Sequence, residues 1–197
     1  MVTRPCKLAG MNAIFDLPEL RARVRTWTVE EYEKLGDDPA FRRTELIRGT
    51  IVNKMSKGPL HSTILADLYL WLVRTLAPGW YVRQEQPLRL TDSMPEPDIA
   101  VVHGTSKDFA TRHPATAVLV VEVADSSIAA DREKAALYAE AGVGEYWIVL
   151  AGAGQVEVYR RPEGGEYRER RTYARGEEIG GVVVLDGGSV ATDALFA

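Results

Sequence analysis

Leu119–Ser127 reads LVVEVADSS. An apolar run from Val118 leads into Glu122, continues to Ala124 and stops at Asp125. A short apolar stretch of this kind has the composition of a strand buried on both faces. A carboxylate within such a strand is costly to bury unless something compensates it. The stretch therefore sets a question about its acid: what Glu122 is there to hold.

Immediately upstream, MPEPDIAVV places Asp98 just after Pro97, at the start of a second apolar strand. The loop from His103 to Thr116 is long enough to let the two strands pair antiparallel. A register that sets Asp98 opposite Glu122 also sets Ala100 opposite Val120 and Val102 opposite Val118, and directly opposed residues share a face. Two like charges so opposed are destabilising and call for a cation or a shared proton. Oxygen-only ligands favour a hard ion such as Mg²⁺, with Mn²⁺ as a second candidate, over zinc. Spacing alone leaves a second reading open, in which each acid merely ends a strand at the solvent edge.

Downstream, DREKAALYAEAG reads as a helix with Asp131 favourably placed near its start and Gly142 at its end. Asp131, Lys134 and Tyr138 fall at i, i+3 and i+7 and share one face. Either this is a solvated face with an Asp–Lys pair, or Lys134 leans back over the end of the Glu122 strand. In the second case its ammonium can orient a water or stabilise charge developing on a phosphate. Two more candidates lie upstream. Glu45 begins the strand ELIRG, and His61 opens the long helix HSTILADLYLWLVRTLA. A histidine there is a cap, a surface residue or, because helix N-termini attract anions, a phosphate contact.

The remaining chain supplies a frame for these residues. TVEEYEKLG carries a capping box at Thr28 and Glu31, and TELIRGTIVNKM reads as a hairpin turning at Arg48-Gly49. The long helix shows Ile64, Leu65, Leu68, Leu72 and Leu76 at helical spacing and ends before Pro78-Gly79. WYVRQEQPLRL alternates as a strand, EYWIVL is another buried strand, and GGVVVLDGG reads as a last strand. QVEVYR and EYRERRTYA form a polar hairpin around RPEGG. The order of helices and strands predicts a mixed sheet with helices packed on it, in one domain from residue 27 to 197, behind a tail or short flanking helix over 1–26.

Composition narrows the function classes. The chain has 197 residues, is 46% hydrophobic and 26% charged, and so can build a sizeable core. A net charge of −4 argues against binding nucleic acid by bulk attraction over the whole surface. Cys6 is the one cysteine, which excludes an internal disulfide and points to a reducing compartment. No run approaches the roughly 20 apolar residues of a membrane span, and the N-terminus makes a poor signal peptide. The expectation is a cytoplasmic protein.

Taken in order, TVEEYEKL, ELIRG, MSKGPLHS, PEPDIAVV, VVEVADSS, DREKAALYAEAGVGEYWIV and VEVYR resemble the Uma-type family of restriction endonucleases, within the PD-(D/E)XK nuclease superfamily. The resemblance runs from about Thr26 to Ala197. It implies a restriction-endonuclease-like α/β/α core around a mixed β-sheet, with Asp98 and Glu122 as metal-binding acids and Glu45 as an additional acid. Many members of the superfamily carry a lysine two positions after the second acid. Here that position is Ala124, and the resemblance points instead to Lys134 on the next helix. Arg48 and Leu150 also depart from the family pattern, at positions where acids are common.

The reading that follows is a Mg²⁺-dependent endonuclease hydrolysing the phosphodiester bonds of DNA. Asp98 and Glu122 would hold the ion, Lys134 and Glu45 would complete the catalytic set, and His61 and Tyr138 would support it. Superfamily habit adds the expectation of a homodimer. The alternative is a nuclease-like module, catalytically inactive, that binds nucleic acid or a protein partner. A weaker possibility is an interaction surface on the arginine-rich hairpin, set against a simply solvated hairpin in which glutamates interleave with the arginines.

Overall fold

A computed structural model describes Glu19 and residues 23–36, 38–125, 128–185 and 188–196. Most of the expected N-terminal tail, residues 1–18 and 20–22, lies outside the described residues. The chain runs through α1 (Val29–Glu33), β1 (Thr44–Ile47), β2 (Thr50–Asn53), α2 (Pro59–Thr75), β3 (Trp80–Gln84), β4 (Ile99–His103), β5 (Leu119–Ala124) and α3 (Ile128–Glu140). It continues through β6 (Glu145–Leu150), β7 (Gln155–Glu163), β8 (Glu166–Ala174), β9 (Glu178–Val182) and β10 (Gly188–Ala191).

Six strands form one sheet in the order β3-β4-β5-β6-β7-β8. Only β5 and β6 pair parallel, and α3 makes the crossover that a parallel pair requires. Every other pair in the sheet is antiparallel. The sheet is mixed and flanked by helices, as the strand and helix order predicts.

Strand parity divides the core in two. Leu119, Val121 and Val123 of β5 pack with Ile64, Leu65, Leu68 and Leu72 of α2 on one face. Val120 and Ala124 pack with Leu137 and Tyr138 of α3 on the other. Glu122 has the parity of the second set, so the pleat aims it at α3. Ala100 pairs with Val120 and Ile99 with Val121. This is the register expected from sequence, and continuing it by one step brings Asp98 opposite Glu122.

Two small sheets attach to the main one. β1 and β2 form a hairpin in which Arg48 and Gly49 both have positive φ, 50° and 70°. Two such residues make the tight turn whose twist matches that of its strands. The hairpin is held by an isolated bridge from Leu46 to Met94 and by the Trp27 amide donating to the Gly49 carbonyl at 2.8 Å. Arg48 reaches Glu140 at the end of α3, at 2.7 Å.

Two expectations change. The strand over WYVRQEQPLRL stops at Gln84, because Glu85 adopts a left-handed φ of 51° and Pro87, which follows, has no N–H to extend a ladder. GGVVVLDGG is not one strand. β9 ends at Val182, and Val183–Leu185 turn in a 3-10 helix where the Val183 amide is drawn to Glu145 Oε1 at 3.0 Å. β10 then returns antiparallel along β9.

Gly49 gives a test of the hairpin's attachment. A Cβ there would lie 2.9 Å from Thr26 Cβ and 3.2 Å from the Trp27 carbonyl, in a left-handed conformation. Gly49→Ala should destabilise the protein by about 1–2 kcal/mol from backbone conformation alone, with the contact adding to it. Urea denaturation of the two proteins measures the difference.

Candidate active site

Four elements converge on the end of the β4–β5 pair. Asp98 and Glu122 come from the sheet, Lys134 and Tyr138 from α3, His61 from the first turn of α2, and Glu45 from β1. Asp98 and Glu122 are each only 5% exposed. They meet through the backbone as well: the Asp98 amide donates to Glu122 Oε2 at 3.3 Å, and the Val123 amide donates to Asp98 Oδ2 at 2.7 Å.

Each of the two acids has a lysine beside it, shared with other carboxylates. Lys134 Nζ lies 3.0 Å from Glu122 Oε1, 3.5 Å from Glu45 Oε2 and 3.9 Å from Asp131 Oδ1. The reach of Lys134 back over β5 is therefore present, and Ala124, at the usual lysine position, is instead packed in the core beneath α3. The Tyr138 hydroxyl donates to Glu122 Oε1 at 3.0 Å. Glu45 accepts the Glu96 amide at 2.9 Å, which holds its carboxylate beside the loop leading to Asp98. His61 Nε2 stands 3.1 Å from Asp98 Oδ2, while its Nδ1 is buried without a hydrogen-bond partner among the described residues.

Sequence reading missed Lys57. Its ammonium lies 2.7 Å from Asp98 Oδ1 and also pairs with Glu85. The available signal was its place in MSKGPLHS, four residues before His61, where the chain enters α2. Asp131, on the helix face shared with Lys134 and Tyr138, is buried at the foot of the same cluster.

The two acids sit in opposite electrostatic states. Burial alone would raise Asp98, but the His61 hydrogen bond, the Lys57 ammonium and the Val123 amide outweigh it and hold Asp98 below its ordinary range. Glu122 is pushed up to about 8, first by burial and then by Asp98, Asp131 and Glu45, although Lys134 opposes the shift. Lys134 is held well above its ordinary value: burial opposes its charge, but Glu122, Glu45 and Asp131 outweigh it. The cluster has more carboxylates than ammoniums, so it lacks positive charge.

The oxygen-only pair fits a hard divalent ion. Among the described residues, no three His, Cys, Asp or Glu side chains are grouped to hold an ion unaided. Magnesium commonly binds through one or two carboxylates and keeps water or phosphate oxygens for the rest. Asp98 and Glu122 would be the residues to hold it, in competition with Lys57 for Asp98 Oδ1. The site opens into a cavity of about 1040 Å³ whose wall also carries Arg42, Arg43 and Arg48.

The arginine-rich hairpin is a different matter. Arg160, Arg161, Arg168, Arg170, Arg171 and Arg175 all stand within ion-pair distance of an acid. Arg161, Arg168 and Arg170 pair with acids of the hairpin itself, while Arg160, Arg171 and Arg175 pair with Glu145, Glu177 and Asp193 outside it.

Residues 29–192 match the model of the Uma2 family, described as "Putative restriction endonuclease". The chain belongs to the Uma2 family. Among solved structures it is similar to a protein described as a "putative nuclease belonging to DUF820" from Anabaena variabilis ATCC 29413. The TM-score is 0.72 and the identity 18%, over 86% of this chain and 97% of that one. That likeness shows a shared fold. No curated protein matches the chain. Among the described residues no helix is long and apolar enough to cross a membrane.

The raised Glu122 predicts the pH dependence of the metal-free protein. Its ordinary value is 4.5 and its folded value about 8. Between these the folded state holds a proton that the unfolded state has released, so stability falls as pH rises through that window. Glu122→Gln should remove this slope and be more stable than wild type at pH 8–9. Thermal melts in EDTA across pH 5–9 measure both effects, and equal slopes in the two proteins would contradict them.

Proposed function

We propose that this Uma2 protein is a Mg²⁺-dependent endonuclease hydrolysing DNA, with residues 27–197 acting as one nuclease domain. The observation that carries the reading is the meeting of Asp98, Glu122 and Lys134 at one end of the buried strand pair, with the ammonium 3.0 Å from Glu122. The family description agrees with it.

A bound ion at Asp98 and Glu122 would supply Lewis-acid polarisation of the scissile phosphate and a water of lowered pKa. The protein's own groups have distinct tasks. His61 and the Val123 amide fix one oxygen of Asp98 and leave Oδ1 toward Lys57. Tyr138 fixes the rotamer of Glu122 from beneath. Glu45 and Asp131 keep Lys134 protonated, so it acts as a cation and not as a proton acceptor. A preorganised ammonium in a water-poor site is well suited to stabilise negative charge that develops on phosphate oxygens.

Cleavage of single-stranded, duplex and branched DNA with Mg²⁺ or Mn²⁺ tests the reading. Asp98→Asn should abolish cleavage and also the Mg²⁺-induced rise in melting temperature, since only a ligand of the folded state stabilises it. Lys134→Ala should lower kcat by about 10²–10³-fold while DNA binding persists. Lys134→Arg should rescue poorly, because a planar guanidinium does not replace a compact ammonium. Binding that survives Asp98→Asn, with no cleavage by wild type under any condition, would favour a module that holds DNA without cutting it.

A further inference from the structure

We propose that a second cavity beside the site receives an unpaired nucleotide of the DNA strand being cut, its base stacked on aromatic rings. This rests on the nuclease reading above and adds the form of substrate. The cavity has a volume of about 830 Å³ and lies between α1, the approach to β1 and the segment 109–113. Small-molecule sites commonly span about 300–1000 Å³, so a nucleotide fits with water to spare.

Its lining has the two components of a single-strand site. Tyr32, Phe41 and Phe109 bring aromatic rings to its wall, the Phe109 ring with the Arg83 guanidinium 5.3 Å from its centroid. Arg42 and Arg112 supply charge: both are exposed, and among the described residues neither has a hydrogen bond or ion pair in the protein. They differ in this from the arginines of the β7–β8 hairpin, which are satisfied by neighbouring acids. Successive bases stack on rings while a cationic groove follows the backbone. A base within a duplex already has both faces covered, so the rings select a base that is out of its stack.

His113 adds a directional group. Its Nδ1 lies 2.9 Å from the Arg83 guanidinium, which can only donate. The imidazole therefore keeps a lone pair on Nδ1 and its proton on Nε2, which has no partner among the described residues. That N–H can donate to a carbonyl or ring nitrogen at a base edge. Burial and the Arg83 charge both disfavour the doubly protonated ring.

Continuity with the catalytic residues ties the cavity to the same strand. Arg42, Lys54 and Glu96 line both cavities. Glu96 is two residues from Asp98 in sequence, and its amide binds Glu45. A phosphate beside Asp98 thus has its neighbouring nucleotide at the mouth of the second cavity.

Equilibrium binding in EDTA separates this from catalysis. The probes are a short single-stranded DNA oligonucleotide carrying 2-aminopurine and the same oligonucleotide in a fully paired duplex. Wild type should prefer the single strand and quench its fluorescence. Phe41→Ala should weaken single-strand binding by about 5- to 150-fold, the range of one lost stacking contact, and lose the quenching, so the preference over duplex collapses. Phe41→Leu, which keeps apolar volume without a ring, should show the same loss if the alanine variant folds poorly. Arg112→Ala should reduce the salt dependence of single-strand binding by about one phosphate contact. No measurable single-strand binding, a preference for duplex, or Phe41 variants that bind like wild type would each overturn the proposal. Metal-dependent cleavage of duplex DNA by wild type, lost in Asp98→Asn, would leave the nuclease reading standing in any of those cases.

Discussion

Placing two carboxylates next to each other at the buried end of a strand pair is unfavourable in itself, and the surrounding structure answers that repulsion. The β4–β5 register sets Asp98 against Glu122. Lys57 and His61 arrive from one side, at the entry to α2. Lys134 and Tyr138 arrive from the other, on α3. The two helices occupy opposite faces of the sheet, yet both send a hydrogen-bond donor to the same pair of acids. The packing of the sheet and the chemistry of its edge are thus one problem with a shared solution.

The compensation is unequal, and the inequality is informative. Asp98 is held as a carboxylate by three donors. Glu122 shares one lysine with Glu45 and Asp131, so burial keeps its proton on. In the proposed function, a divalent ion would take the place of that proton and supply the missing positive charge.

Much of this was legible in the sequence. The register is the one supposed from two apolar runs, each carrying one acid, and a slip of one residue would have put the two acids on opposite faces. Helical spacing put Lys134 on one face with Asp131 and Tyr138, and the family resemblance pointed to it as the lysine over the acids. The hairpin at Arg48-Gly49 and the capping box at Thr28 followed from local rules. Lys57 did not, because it lies outside any periodic element and its partner is 41 residues away in sequence. The division of GGVVVLDGG also escaped, because the pull on Val183 comes from Glu145, on a distant strand. In both cases a long-range polar contact decided what local pattern could not.

The β1–β2 hairpin carries Glu45 but belongs to no part of the six-stranded sheet. Its ties are the bridge from Leu46 to Met94, the packing of Leu46 against Val29 and Met94, the Lys134–Glu45 pair, and the Arg48 clamp onto the last turn of α3. Elements held by few bonds open at lower free energy than the strands of a core. The amides of Glu45 and its neighbours should therefore exchange hydrogen through local opening, while those of Val120 and Val121 wait for global unfolding. One wall of the acidic cluster thus stands on a separate two-stranded leaf, tied to the body by the Leu46–Met94 bridge, the Lys134–Glu45 pair and the grip of Arg48 on Glu140.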